Sequence, residues 1–288
     1  MFRIFLFFVL FLSVPLQKVD AKVHLVLVFC KEEVLSYFKE MNCSGYDRVI
    51  LYSKCGFIPD GFPTCVRVLK PPSTKYARVS KAEETFLYDM IEYRKQGYNS
   101  KLLAYMKAST FKLRVVEQLG STLDSLPDVA MKVDYVSFSF GRSTYVDLCG
   151  HPVTKKLREV NYRGLCKGNV VLRAAFGTSS KHFHRVPTSV LEKLYTYLSK
   201  PPKFKITKQK LKFAVAPERV KIVRQFLEDF WQLLFDCASE THHARYCRSS
   251  IGHGDPSARY VNTGRGSSVF ADILNQRSKV EKELIGKV

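Results

Sequence analysis

The chain has 288 residues, 46% hydrophobic and 25% charged, with eight cysteines and a formal net charge of +20. That is enough apolar material for one large packed domain or two small ones, which excludes both a disordered chain and a disulfide scaffold without a core. The charge is uneven: residues 1–150 carry 20 Lys and Arg against 15 Asp and Glu, residues 151–288 carry 26 against 11, so the basic second half is where anionic partners are expected.

Residues 1–21 read as a secretory signal peptide. Arg3 supplies a positive start, residues 4–12 an apolar run too short to span a bilayer comfortably, and Val19-Asp20-Ala21 a small-residue cleavage site. The mature chain is expected to begin at Lys22, with no stable transmembrane span left after cleavage. The address is then secreted or the lumen of the endoplasmic reticulum or Golgi, which disfavours intracellular nucleic acid as a partner. All eight cysteines follow this cut and meet an oxidising environment, and their even number permits full pairing without revealing the connectivity. No CxxC pair occurs, which argues against zinc ribbons and thioredoxin-type redox work. Asn42-Cys43-Ser44 is an N-glycosylation triplet, expected in a surface loop.

The apolar run over 23–29 reads as a buried strand. Val34, Leu35, Phe38 and Met41 then recur at helical spacing, and 48–52 is a second strand, so the three make a βαβ crossover and hence a parallel sheet. A Pro- and Gly-rich loop leads to a third strand over 65–69, a helix over 81–93 with Phe86, Leu87, Met90 and Ile91 inward, and a fourth strand over 102–106. Residues 112–119 read as helix, 125–128 as a turn, 135–140 as a short strand, and 149–152 as a break. The stretch 170–174 fits either strand or helix start. Pro187-Thr188-Ser189 opens a helix carrying Leu191, Leu194, Tyr195 and Leu198, ended by Pro201-Pro202. Residues 204–213 alternate lysines with apolar residues, as in a charge-protected edge strand. From Pro217, the stripe Val220, Val223, Leu227, Phe230 and Leu234 makes the clearest helix in the chain. Residues 22–240 are expected to form a single α/β domain, an open, mostly parallel sheet flanked by helices with a basic helical C-terminal part. Residues 241–288 form a polar extension with one short helix at 269–274.

His182-Phe183-His184 puts two imidazoles on one face if extended, but a pair without a third ligand is a weak metal site. Cys237, His242, His243, Cys247 and His253 form a richer set, although zinc would need reduced cysteines and a Cys237–Cys247 disulfide is the simpler expectation. The glycine-rich run 262–268 lacks the preceding strand that a phosphate-binding loop needs and reads as flexible tail. Hydrolase and kinase signatures are missing.

Several segments together resemble an uncharacterised eukaryotic family, known only as a domain of unknown function, whose members look related to nucleotide-sugar glycosyltransferases of the A-type fold. They are 26–33 for its opening strand and acidic turn, 51–56 for its second strand and loop, 84–88 for its acidic-aromatic helix, 147–152 for its mid-chain turn and 213–220 for its late strand-to-helix step. In order they cover roughly residues 22 to 240. The resemblance implies a glycosyltransferase A-like fold with a nucleotide sugar at the carboxyl ends of the first parallel strands, near Cys30, Lys31, Glu32, Glu33, Tyr52, Ser53 and Lys54. Such enzymes hold the diphosphate through a divalent cation such as manganese on an Asp-x-Asp turn. Here the corresponding strand ends in Lys107-Ala108-Ser109-Thr110 without a carboxylate, so either Lys107 replaces the cation or catalysis has been lost. Asp128 and Asp134 are substitute carboxylates.

Two readings follow. The first is a lumenal transferase, possible enzyme or degenerate relative, with Glu32 or Glu33 near the nucleotide, Lys54 or Lys107 at the diphosphate, and Glu84 or Asp128 as base for the hydroxyl of a glycan acceptor. The second is a non-enzymatic basic protein that docks on acidic polysaccharides or anionic membrane surfaces through Lys203, Lys205, Lys208, Lys210 and Lys212.

Overall fold

The structure is a computed structural model that describes residues 22–30, 35–72, 74–108, 134–137, 143–171, 175–203 and 215–237, with isolated positions between 123 and 130. Its centre is β1 (Val23–Phe29), all seven residues of which are buried. After α1 (Leu35–Lys39), β2 (Tyr46–Ser53) pairs parallel with β1, and β3 (Val66–Leu69) pairs parallel with β2. The short α2 (Ala77–Ser80) and the longer α3 (Glu83–Lys95) then lead to β4 (Leu102–Lys107), parallel to β1 on its other side. The β-α-β-β-α-β order read from the apolar runs is therefore found, with the short α2 added before α3.

Two more strands complete this sheet with reversed polarity. With β5 at Tyr135–Ser137 and β8 at Phe176–Ser179, β8 runs antiparallel to β4, and β5 antiparallel to β8. The six strands lie in the order β3-β2-β1-β4-β8-β5, a mostly parallel sheet flanked by helices. Between them in sequence, β6 (Ser143–Asp147) and β7 (Lys167–Val171) pair antiparallel as a separate two-stranded sheet, with α4 (Pro152–Arg158) between them. The chain continues through α5 (Ser180–Arg185), α6 (Thr188–Ser199) and α7 (Ala216–Leu234).

Alternation along the strands sorts the core into two faces. Val26, Val28, Ile50 and Tyr105 point to the side covered by α3, α6 and α7, while Leu25, Leu27, Leu51 and Met106 meet Phe38 and Met41 near α1, together with Leu123, Leu126 and Ala130. On the first face Phe176 is ringed by Trp231, Tyr105 and Phe235, with centroids 5.1, 5.5 and 5.7 Å away. The apolar stripe expected on α7 is buried throughout, and Glu218 accepts the Val215 N–H at 3.0 Å to close its first turn.

Two local readings are corrected. Residues 126–128 are helical rather than a turn, with Leu123, Leu126 and Ala130 at helical spacing and buried together against the sheet. His182 and His184 belong to helical α5, where residues two apart diverge: His182 is buried, its Nδ1 2.9 Å from the Phe235 carbonyl oxygen, and His184 does not join it. The strand option for 170–174 is met in part by β7, which ends at Val171, whereas β6, its pairing with β7 and strand β8 are additions to the sequence reading.

Disulfides join Cys30 to Cys55, Cys43 to Cys65 and Cys149 to Cys166. This fits an oxidising compartment. Cys237 is also disulfide-bonded, and Cys247, its expected partner, lies outside the described residues. No helix among the described residues is long and apolar enough to cross a membrane. The signal segment 1–21, the lysine-rich stretch 204–213 and the extension 241–288 likewise fall outside the described residues.

Histidine protonation is expected to weaken this fold. His151 Nδ1 accepts the Val153 N–H at 3.2 Å and so caps α4, while its ring stacks on Phe226 at 4.7 Å. Burial holds its pKa below the ordinary 6.5. A base whose folded pKa is depressed contributes stability above its unfolded pKa and loses it as pH falls through the folded one. Stability should therefore decline on acidification below 6.5, and His151→Asn, which keeps a capping acceptor worth about 1 kcal/mol, should remove part of that decline. Urea titrations between neutral and mildly acidic pH check this; equal slopes in the two proteins would contradict it.

Candidate functional site

In the main sheet the chain leaves β1 toward β2 and β3 on one side and returns as β4 on the other. The carboxyl ends of β1 and β4 thus flank a topological switch point, where open α/β sheets bind ligands. The edge is pinned there by the Cys30–Cys55 disulfide and by the Lys54 N–H, which donates to the Phe29 carbonyl at 3.0 Å. Among the residues singled out from sequence, Cys30, Ser53, Lys54 and Lys107 all sit at these strand ends, and Glu84 reaches them from the first turn of α3.

Two adjacent carboxylates organise the edge. Glu83 is fully buried and Glu84 is 2% exposed, a placement that helix-terminal N–H groups favour electrostatically. Glu83 Oε1 accepts from Lys107 Nζ at 2.5 Å, and the same ammonium lies 3.6 Å from Glu228 of α7, which also pairs with Arg224 at 3.4 Å. Ser80 Oγ donates to Glu84 Oε2. Lys54 Nζ donates to the carbonyls of Lys81 and Ala77. Lys81 itself adopts a left-handed φ of 52°, a conformation that non-glycine residues adopt at a cost, two residues before the carboxylate pair. The second oxygen of each carboxylate, Glu83 Oε2 and Glu84 Oε1, is buried without a partner among the described residues, as is Ser53 Oγ.

Burial dominates the electrostatics. It raises the pKa of Glu83 above the ordinary carboxylate value, with Lys107 acting in the opposite sense. It lowers that of Lys54, and Glu84 and Glu83 partly counter this. The cluster is thus charge-balanced internally, with open acceptor positions rather than open charge. It does not fit a resident divalent cation: the Lys107 ammonium occupies Glu83, and among the described residues no group of three or more His, Cys, Asp or Glu side chains is placed to hold a metal ion.

The other sequence candidates lie elsewhere. Asp128 is exposed in the helical segment whose Leu126 and Ala130 pack on the opposite face of the sheet from α3, so it does not join Glu84. Lys203 is exposed just after α6, and Lys205, Lys208, Lys210, Lys212, Glu32 and Glu33 fall outside the described residues. Asn42 is exposed, as a glycosylation acceptor requires, and its Oδ1 accepts the Ser44 N–H at 2.9 Å. Sequence reasoning missed Glu83, Ser80 and Glu228. Two successive carboxylates opening a helix with an inward apolar face were the available signal for the first.

No family model matches the chain, and no curated protein matches it. Among solved structures it is similar to the bifunctional IspDF from Campylobacter jejuni, at 8% identity and a TM-score of 0.27, over 70% of this chain and 47% of that one. The chain thus spans about half the length of that protein.

Proposed function

We propose that this is a secretory-pathway, glycosyltransferase-like protein of the A-type fold that binds a nucleotide sugar at the carboxyl edge of its parallel strands. The observation that carries the reading is the buried pair Glu83 and Glu84, each with one oxygen lacking a donor among the described residues, beside Lys54 and Lys107 at the switch point. A buried unsatisfied acceptor costs about 1–3 kcal/mol, and sugar hydroxyls are donors of the right kind to relieve it. Lys54, held by backbone carbonyls rather than by a carboxylate, is the cation placed to face a diphosphate without a metal ion. In a transfer step Glu84 takes the proton of an acceptor hydroxyl as that oxygen bonds to the anomeric carbon and the nucleoside diphosphate leaves. The uneven sequence charge supports a second reading, a non-enzymatic binder of acidic glycans or anionic membrane surfaces.

A thermal-shift screen of the signal-less protein with uridine, guanosine and cytidine diphosphates and their sugars, each with and without manganese, separates the two. Binding to the native state raises its stability by about 2.7 kcal/mol at a hundredfold excess over Kd. The expected result is a shift that needs the sugar and not the metal, lost in Glu84→Gln. No shift with any nucleotide, together with salt-sensitive retention on heparin, would favour the second reading.

A further inference from the structure

Midway along α3, Asp89 is 2% exposed and accepts three hydrogen bonds. His24 Nε2 lies 2.8 Å from Oδ2, the Tyr105 hydroxyl donates to the same oxygen at 3.2 Å, and the Tyr52 hydroxyl donates to Oδ1 at 3.2 Å. Burial, reinforced by Asp89, raises the pKa of both hydroxyls and keeps them donors. Since a carboxylate only accepts, His24 Nε2 carries the shared proton, and Nδ1 is the ring's remaining polar atom. His24 is 1% exposed, and that Nδ1 has no partner among the described residues.

Asp89 and His24 both line a cleft of about 240 Å³ between α3 and the β2–β3 side of the sheet. Its walls include the rings of Tyr52, Tyr88 and Tyr93, and its rim includes Arg48, Glu92 and Gln96. Arg48 Nη1 donates to Gln96 Oε1 at 3.0 Å and lies 4.2 Å over the Tyr98 ring, Glu92 pairs with Lys95 at 2.9 Å, and the exposed Lys70 adds a second cation to the lining. A polyhydroxylated ligand finds there aromatic surface, planar polar side chains and a buried imidazole nitrogen without a partner among the described residues. The volume is below the roughly 300–1,000 Å³ of sites for drug-sized ligands and holds about eight waters at about 30 Å³ each, room for one ring.

We infer that this cleft is a carbohydrate site that takes a single pyranose ring, with a hydroxyl hydrogen-bonded to His24 Nδ1 and the rim held by Arg48 and Gln96. The site is separate from the carboxylate edge and does not rest on the nucleotide reading. It lies on the same helix, five residues or about 7.5 Å beyond Glu84, close enough for one glycan to reach both.

Saturation-transfer NMR on the signal-less protein, without nucleotide, tests this with the methyl glycosides of glucose, galactose, mannose and N-acetylglucosamine. At least one is expected to receive saturation, and Arg48→Ala, which removes one charge-assisted hydrogen bond, should weaken it about tenfold. Gln96→Ala, at an exposed helix end, should weaken it in the same direction while circular dichroism stays that of the parent. No transfer to any of the four, or binding unchanged in both folded variants, would overturn the inference.

Discussion

Asp89→Ala is expected to destabilise the protein by roughly 3–5 kcal/mol, because breaking a buried charged network from one side strands its partners. The substitution removes the acceptor of His24, Tyr52 and Tyr105 together, all three of them buried in the layer between α3 and the sheet. Much of a single domain's stability of about 5–15 kcal/mol would go with it. Asp89→Asn, which keeps one carbonyl acceptor, should lose less. Urea unfolding of both variants beside the parent measures this, and a loss under about 1 kcal/mol for Asp89→Ala would show that the network is not the anchor its geometry implies.

The second large effect is expected at Lys107. Lys107→Met leaves the fully buried Glu83 carboxylate without its ammonium, and breaking a buried pair in this way costs roughly 3–5 kcal/mol. The sign of its pH dependence follows from Glu83. Burial already raises that pKa above 4.5, and losing Lys107 raises it further. The penalty should therefore be full at neutral pH, shrink as pH falls through the folded pKa of Glu83, and vanish below 4.5. The double variant Glu83→Gln with Lys107→Met should recover much of the loss at neutral pH. A Lys107→Met penalty that is flat with pH, or that the double variant leaves intact, would contradict this view of the pair.

The parallel half of the fold was legible because its signals are local. The run at 23–29 is apolar except for His24, as suits a strand buried on both faces, and the stripe on α7 repeats at helical spacing over about four turns. What escaped was structure decided by partners rather than by local pattern. Strand β8 reads Phe176-Gly177-Thr178-Ser179, too short and polar to announce itself, and it is a strand because β4 and β5 offer it hydrogen bonds on both sides. The β6–β7 pair leaves Thr144, Tyr145 and Asp147 exposed and is closed by the Cys149–Cys166 bridge, a pairing that sequence cannot assign.

The site was legible in half. Strand polarity alone places Ser53, Lys54 and Lys107 at the carboxyl edge, since every parallel strand ends on the same side. That Lys107 is neutralised by Glu83 and Glu228 depends on the way α3 and α7 pack, which no local pattern encodes. His24 and Asp89 were visible as a histidine within a buried strand and a carboxylate within the inward face of a helix. Each is a local contradiction that only the other resolves.

The central claim, a nucleotide sugar seated at the carboxyl edge, is tested most directly by photo-crosslinking. Azido-substituted uridine and guanosine diphosphate sugars would be irradiated with the protein and the adducts mapped by peptide mass spectrometry. The account predicts label on the peptides ending β1, β2 and β4, around Cys30, Lys54 and Lys107, displaced by the unlabelled sugar nucleotide. Label confined to the β6–β7 hairpin or the basic C-terminal half, or label that the unlabelled compound does not displace, would contradict it.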